Sequence, residues 1–148
     1  MLTKKSKSFL KDIENQRYMG IITSFTVAEY LSVIKGILCD KRNGKVSPSD
    51  ISTVRAQLEQ FISQMGIILY DADTVANRNT VFSECENMVE NSGVYKGKRD
   101  YKWHYLKGAD ALHLALAKSV NAEVIATFDD DFRGGGTTIA PLMLSEAY

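Results

Sequence analysis

Short apolar runs alternate with longer stretches whose apolar residues recur at helical spacing, and this alternation limits the possible folds most. The runs are GIITS (20–24), GIILY (66–70) and EVIATF (123–128). Each run is apolar almost throughout, which is typical of strands that are covered on both faces of a sheet. Helices are predicted between the runs, so the pattern favours an α/β domain with a mostly parallel sheet.

The rest of the chain divides into predicted helices, one loop and one further strand. The segment 91–108 is rich in charged and aromatic residues and is predicted to be a loop. TTIAPL (137–142) is expected to add one short strand. The predicted helices cover residues 3–17, 26–38, about 49–64, about 73–90 and 109–120.

The composition is that of one intracellular domain. A chain of 148 residues can bury a single core, and we expect one domain over residues 1–148. The 18 basic and 18 acidic residues cancel, so no global charge favours a polyanionic partner. Cys39 and Cys85 fit neither a metal motif nor a disulfide framework, which favours a reducing cytoplasm. No run has the length of a signal sequence or membrane span, so we expect a soluble protein with no membrane partner.

Three aspartates follow closely on the last apolar run. If residues 124–127 form a parallel strand, Asp129, Asp130 and Asp131 stand at its carboxyl end, where ligands bind in α/β sheets. Adjacent carboxylates repel each other, and a Mg²⁺ or Mn²⁺ ion, which prefers hard oxygen ligands, would relieve that repulsion. A solvated acidic turn is the alternative interpretation.

Two other acidic residues have both a structural and a functional interpretation. Asp110 opens the apolar stretch ALHLALA, where it could cap a helix N-terminus or join the acidic strand end. Glu29 stands three residues after Thr26, so it could complete a capping box. A helix that begins at Ser24 would instead place Glu29 about one turn inside the helix, as a candidate metal ligand.

These residues, in this order, resemble a known family. IITSFTVAEYLSVIKG (21–36), followed by GADALHLALAKSVNAEVIATFDDDF (108–132), is similar to the PIN domain and, within it, to the VapC-like toxins of prokaryotic toxin–antitoxin systems. The likeness extends from about residue 3 to about residue 142. It implies a three-layer α/β/α fold and a metal-dependent endoribonuclease that hydrolyses RNA phosphodiester bonds with Mg²⁺ or Mn²⁺.

The resemblance also implies a role for each residue of the pattern. Ser24 and Thr127 would support the carboxylates through hydrogen bonds. The ions held by the carboxylates would activate a water molecule and stabilise charge on the phosphate oxygens. The residues implied to bind the metal and to be catalytic are Glu29, Asp110, Asp129 and Asp131.

One part of the family pattern is not found. The family begins with a strand that ends in aspartate, whereas residues 1–17 resemble its second helix, and Asp12 within that helix is no substitute. We therefore expect the first strand, the first helix and the first catalytic aspartate to be missing, through truncation or because another segment fills the gap. Since that strand is central in the family's sheet, its neighbours would expose unpaired main-chain groups.

The segment 93–108 is a candidate surface for nucleic acid. It combines five basic residues and four aromatic rings with one acidic residue, and it leads directly to Asp110. Cations for phosphates and rings for bases suit single-stranded nucleic acid. A solvated loop whose rings pack on the body or in a dimer is the alternative. The predicted nucleic-acid-binding residues are Lys96, Lys98, Arg99, Lys102 and Trp103.

Two functions from different classes therefore compete. The first is a cytoplasmic toxin endoribonuclease, whose partners would be RNA, an antitoxin protein and a second copy of the chain. The second is a degenerate, non-catalytic PIN-like module that binds RNA or a protein. A phosphohydrolase or receiver-like site fits less well, because those folds place their key aspartate after an early strand.

Overall fold

The structure is a computed structural model that describes residues 4–70, 75–97, 101–134 and 139–147. Across those ranges the chain forms helices and short strands, with one 3-10 helix at Asp130–Gly134. The helices are α1 (Lys4–Glu14), α2 (Ser24–Lys41), α3 (Pro48–Gln64), α4 (Val75–Asn91), α5 (Gly108–Ser119) and α6 (Leu144–Ala147). The strands are β1 (Ile21–Thr23), β2 (Ile68–Tyr70), β3 (Tyr95–Lys96), β4 (Trp103–His104), β5 (Val124–Thr127) and β6 (Ala140–Met143).

The chain separates into two compact units, and the expectation of a single domain stays a prediction. The N-terminal unit contains residues 10–71, and the C-terminal unit contains residues 72–148 together with residues 1–9. For most helix ends, the predicted and observed positions agree to within about two residues. The α/β fold class is confirmed.

In the N-terminal unit, β1 and β2 are parallel, and Ile22 lies opposite Leu69. Helix α2 packs against β1 and α3. The main chain at Gly20 passes close to the side chains of Ile67 and Ile13. An added Cβ atom at Gly20 would stand 3.0 Å from Ile67 Cγ1 and 3.5 Å from two carbon atoms of Ile13. A larger residue at Gly20 would therefore press on the side chains that cover the start of β1.

Helix α3 begins with a complete capping box. Ser47 Oγ accepts a hydrogen bond from the Asp50 N–H at 3.3 Å, and Asp50 Oδ2 accepts one from the Ser47 N–H at 2.9 Å. Arg42 donates to the other Asp50 oxygen at 2.6 Å. The hydrogen bonds from Ser47 and Arg42 lower the pKa of Asp50 to about 2.

The C-terminal unit holds most of the buried side chains that the structure describes. Strand β5 is parallel to β6, with Thr127 opposite Met143, and α4 packs along α5. Helix α5, which carries the apolar stretch ALHLALA, contributes four buried residues. The buried apolar residues of this unit are Val81, Met88, Leu106, Ala111, Leu114, Ala115, Leu116, Phe132, Ile139, Met143 and Leu144.

The strands differ from the prediction in coverage and in number. Ile68 and Leu69 of β2 are 47% and 55% exposed, so this apolar run is not covered on both faces. Within the described ranges each parallel pair is its own two-stranded sheet. The predicted loop at 91–108 is wrong in part, because β3 and β4 pair there as an antiparallel hairpin.

Candidate metal and nucleic-acid site

The carboxyl end of β5 is fixed by two local hydrogen bonds. Thr127 Oγ1 accepts a hydrogen bond from the Asp129 N–H at 3.0 Å, and Asp129 Oδ1 accepts one from the Asp131 N–H at 2.9 Å. Thr127 therefore supports Asp129 through its main chain and not through its carboxylate. Asp129 Oδ2 accepts no hydrogen bond from any residue in the described ranges.

Asp110 is the third residue of α5, and it caps the helix as one of the two interpretations predicts. Its Oδ2 accepts a hydrogen bond from the Lys107 N–H at 3.2 Å. The half-buried position raises the pKa of Asp110, and the neighbouring carboxylates of Asp129 and Asp131 raise it further. Helix capping and membership of an acidic cluster are therefore both found at this residue. We call Asp110, Asp129 and Asp131 the acidic rim.

Asp131 is the most deeply buried member of the acidic rim, with 7% of the residue exposed. Its Oδ1 lies 2.7 Å from His104 Nδ1, and its Oδ2 accepts a hydrogen bond from Lys107 Nζ. An ionised carboxylate can only accept hydrogen bonds, so His104 Nδ1 carries the proton. Both oxygens of Asp131 are thus engaged by side chains from the segment that precedes α5.

The two charged partners shift each other's pKa in opposite directions. Burial raises the pKa of Asp131, but the hydrogen bonds from Lys107 and His104 outweigh burial and hold it below its usual value. The hydrogen bond to Asp131 raises the pKa of Lys107, and the charges of Asp110 and Asp129 add to the rise. At neutral pH Lys107 is therefore a cation among three carboxylates.

Two residues of this cluster are missing from the sequence-based site. His104 has no role there, and Lys107 is only one of five basic residues in its segment. The sequence gives a partial indication for Lys107, because this residue directly precedes the helix that Asp110 caps. His104 lies 27 residues before Asp131, and no local pattern connects the two.

The donor chemistry of the acidic rim suits a hard divalent cation. Among the residues that the structure describes, no group of three or more His, Cys, Asp or Glu side chains is arranged to enclose an ion. Mg²⁺ does not require such a cage, because it commonly keeps several waters and binds one or two carboxylates together with substrate phosphates. Asp110 and Asp129 each have one oxygen that accepts no hydrogen bond from the described residues, and these carboxylates repel each other, which fits that mode of binding.

Glu29 and Ser24 lie in the N-terminal unit. Thr23 is the residue that caps α2, since its Oγ1 accepts a hydrogen bond from the Thr26 N–H at 3.2 Å. Ser24 is the first residue of the helix, and Glu29 lies exposed inside it. The capping-box interpretation of Glu29 is therefore wrong, and the alternative start at Ser24 is confirmed. The role of Glu29 as a metal ligand stays a prediction.

The hairpin of β3 and β4 presents part of the predicted nucleic-acid surface. Lys96 lies opposite Trp103, and Lys96 Nζ is 5.9 Å from the centroid of the Trp103 ring. Trp103 is 64% exposed, and Lys102 beside it is also exposed. The predicted contacts Lys98 and Arg99 lie outside the described residues.

The hairpin closes tightly at its described ends. The Gly97 N–H donates to the Lys102 carbonyl at 2.8 Å, and the Tyr101 N–H donates to the Gly97 carbonyl at 3.1 Å. Tyr101 has a φ angle of 58°, which is uncommon for a residue with a side chain and marks a constrained turn. Trp103 therefore lies in a hydrogen-bonded hairpin strand and not in a plain loop.

A comparison with models of known families matches the chain to one of them. The model of the PIN domain matches residues 3–135 of the 148. No curated protein and no solved structure matches the chain. None of the helices in the described ranges is long and apolar enough to cross a membrane. The PIN domain is generally a nuclease fold, and PIN nucleases act on RNA or other nucleic acids, typically with divalent metal ions. Because the family model covers most of the sequence, from before α1 to the 3-10 helix, this chain belongs to the PIN domain family.

Proposed function

We propose that this chain is a metal-dependent endoribonuclease that hydrolyses RNA phosphodiester bonds. The observation that carries the proposal is the acidic rim, in which Asp110 and Asp129 each keep one carboxylate oxygen without a hydrogen bond from the described residues. One of these oxygens belongs to Asp129, just past the carboxyl end of β5, and the other to Asp110, in the first turn of α5; carboxylate oxygens of this kind are suitable ligands for Mg²⁺ or Mn²⁺. Asp131 has both oxygens engaged, so we assign the ion to the other two residues.

The ion would supply two kinds of chemistry when bound: it lowers the pKa of a bound water, and it stabilises charge that grows on the phosphate oxygens. The chain's own residues prepare the place. Thr127 fixes the main chain of Asp129, while the Lys107 N–H orients the carboxylate of Asp110. The Lys107 ammonium offsets part of the negative charge, which reduces repulsion of an approaching RNA phosphate.

The substrate would reach the acidic rim along the hairpin. Trp103 offers an exposed ring on which a base can stack, and Lys96 and Lys102 offer cations for phosphates. His104, the residue next to Trp103, contacts Asp131 of the acidic rim directly. A single strand bound on the hairpin would therefore be held on an element that is attached to the acidic rim.

The biological role that we propose follows from the order of the motifs. The succession of VAEYL, ADALHLALA and TFDDDF is similar to VapC-like toxins, so we propose a cytoplasmic toxin of a toxin–antitoxin pair. Its partners would be a small antitoxin protein and a second copy of the chain. The alternative function is a non-catalytic module that binds RNA, and the experiment must distinguish it from the proposed ribonuclease.

Cleavage of a generic single-stranded RNA, with Mn²⁺ and with EDTA, tests the proposal. We expect cleavage that requires the metal, and a loss of about a hundredfold in Asp129→Asn. Asp130→Asn is the matched control, because Asp130 is the adjacent acid and pairs with Arg133 at 2.7 Å. Equal activity of Asp129→Asn and wild type would rule out the assigned site. Binding without any cleavage by the wild type would favour the non-catalytic module.

A further inference from the structure

The two faces of the hairpin formed by β3 and β4 differ in exposure. Successive side chains of a strand point to opposite faces, so the register that pairs Lys96 with Trp103 places His104 on the other face. The exposures agree with this geometry, since the His104 side chain is 13% exposed and Trp103 is 64% exposed. One face thus contacts the body of the C-terminal unit, and the other is open to solvent.

The inner contact is a buried and specific one. His104 Nδ1 and Asp131 Oδ1 are 2.7 Å apart, and Lys107 Nζ occupies the second oxygen of the same carboxylate. Strand β4 also packs against the 3-10 helix that carries Asp131. Asp131 therefore holds the residues on both sides of Leu106, which is itself 1% exposed in the core. The segment 104–107, which begins in the return strand and leads to α5, thus has three residues with buried or ion-paired contacts.

The outer face has the chemistry of a base-stacking platform. Trp103 presents a ring with a lysine ammonium 5.9 Å from its centroid, and Lys102, the residue before it in the chain, is exposed as well. A ring of this kind binds an unpaired base without regard to its identity, while ammonium groups bind the adjoining phosphates. A double helix hides its bases from such a ring, so the platform suits unpaired nucleotides.

We infer that Asp131 anchors the hairpin and that His104 is a positioning residue, which holds Trp103 beside the acidic rim so that an unpaired nucleotide of the substrate stacks there. This inference rests on the proposed function and extends it, because it assigns Asp131 to substrate positioning and not to the ion. Asp131 is itself part of the acidic rim, so the hairpin that presents Trp103 is attached to the rim through His104.

A matched pair of variants at His104 separates the anchor from a merely structural role. Asn places a side-chain N–H close to the position of Nδ1, whereas Leu fills similar space without a donor. Trp103 is the only tryptophan of the chain, so its fluorescence anisotropy reports the order of the hairpin directly. We expect the anisotropy to fall in His104→Leu and to stay near the wild-type value in His104→Asn, with RNA absent.

Binding of a 12-nucleotide oligouridylate in EDTA, followed by quenching of the same fluorescence, tests the platform. We expect His104→Leu to weaken binding about tenfold, which corresponds to one stacked base, and His104→Asn to restore it. Trp103→Ala, followed with a labelled oligonucleotide, should weaken binding to the same extent with the anchor intact. The double variant His104→Leu/Trp103→Ala should be no weaker than either single variant, since both remove the same contact.

Each of these experiments has a result that would contradict the inference. Unchanged anisotropy and unchanged binding in His104→Leu would overturn it, even if the wild type binds and cleaves RNA. A tenfold loss of Mn²⁺ affinity in His104→Leu would also overturn it, because Asp131 would then act on the ion. If the wild type neither binds nor cleaves RNA, the proposed function fails and the stacking role with it. A fall in anisotropy in His104→Leu would in that case still establish the anchor.

Discussion

Asp110 and Asp50 stand at the same position in two helices, yet their charges should have opposite effects on stability. Each is the third residue of its helix, and each accepts a hydrogen bond from the backbone N–H three residues earlier. Burial and neighbouring carboxylates raise the pKa of Asp110, whereas hydrogen bonds from Ser47 and Arg42 lower that of Asp50 to about 2. The native environment therefore disfavours one charge and favours the other.

The sign of each effect follows from linkage. A carboxyl whose pKa is raised by folding destabilises the protein above its folded pKa, and the penalty disappears below the unfolded value of about 3.9. One pKa unit corresponds to about 1.4 kcal/mol, and the solvent-exposed part of Asp110 screens much of the effect. We therefore expect Asp110→Asn to raise the free energy of unfolding at pH 7 by a few tenths to about 1 kcal/mol.

The opposite holds for Asp50. A carboxyl whose pKa is lowered by folding stabilises the protein above the unfolded value, and this contribution is lost as the pH falls through about 2. Asp50→Asn should therefore lower the free energy of unfolding at pH 7. Asn can still accept the capping hydrogen bond in both helices, so the two substitutions differ in charge and much less in geometry.

Urea denaturation followed by far-ultraviolet circular dichroism measures both variants against the wild type. EDTA must be present, because an ion bound to the native state would stabilise the charged form of Asp110 and reverse the sign. The difference in the free energy of unfolding between Asp110→Asn and the wild type should become smaller when the measurement is repeated near pH 3.5. A loss of stability in Asp110→Asn equal to that in Asp50→Asn would refute the reasoning about its environment.

Two further predictions concern packing and surface charge. Leu114→Ala should lower the free energy of unfolding by about 3 kcal/mol, because Leu114 is 1% exposed, and Leu112→Ala on the half-buried side of the same helix should cost about half as much. Urea titrations compare the two, and equal losses would contradict the burial argument. Arg133→Lys breaks the fork that donates to Asp130 at 2.7 Å and Glu146 at 2.5 Å, which should cost up to about 1 kcal/mol. Thermal melts at low and high salt test this, since a loss that salt does not reduce would contradict an ion-pair origin.

The helices could be predicted because their signals are local. Apolar residues at helical spacing identify α2 and α5 within a few positions, and a run such as EVIATF ends one residue after β5 ends. Even the choice between two starts for α2 depended only on which hydroxyl caps the helix, and Thr23 does so. Local chemistry decides features of this kind.

The hairpin and the anchor could not be predicted in the same way. Strands β3 and β4 have two residues each, too few for an alternating pattern to show. The contacts of Asp131 depend on that hairpin, so the role of His104 remained hidden as well. The exposure of Ile68 and Leu69 depends on tertiary packing, because an apolar run predicts a strand but does not show which elements cover that strand.

The anchor at Asp131 also has a consequence for the order of folding. Its two partners lie 27 and 24 residues earlier in the chain, with all of α5 and β5 between them. Closing a loop of that length costs entropy that a local helical turn does not, so the contact is expected after α5 and β5 have packed. Interactions that form after the folding transition state affect unfolding rates more than folding rates. A nascent chain with all its helices formed would thus still lack an assembled acidic rim, and this cluster would be among the last parts of the fold to assemble.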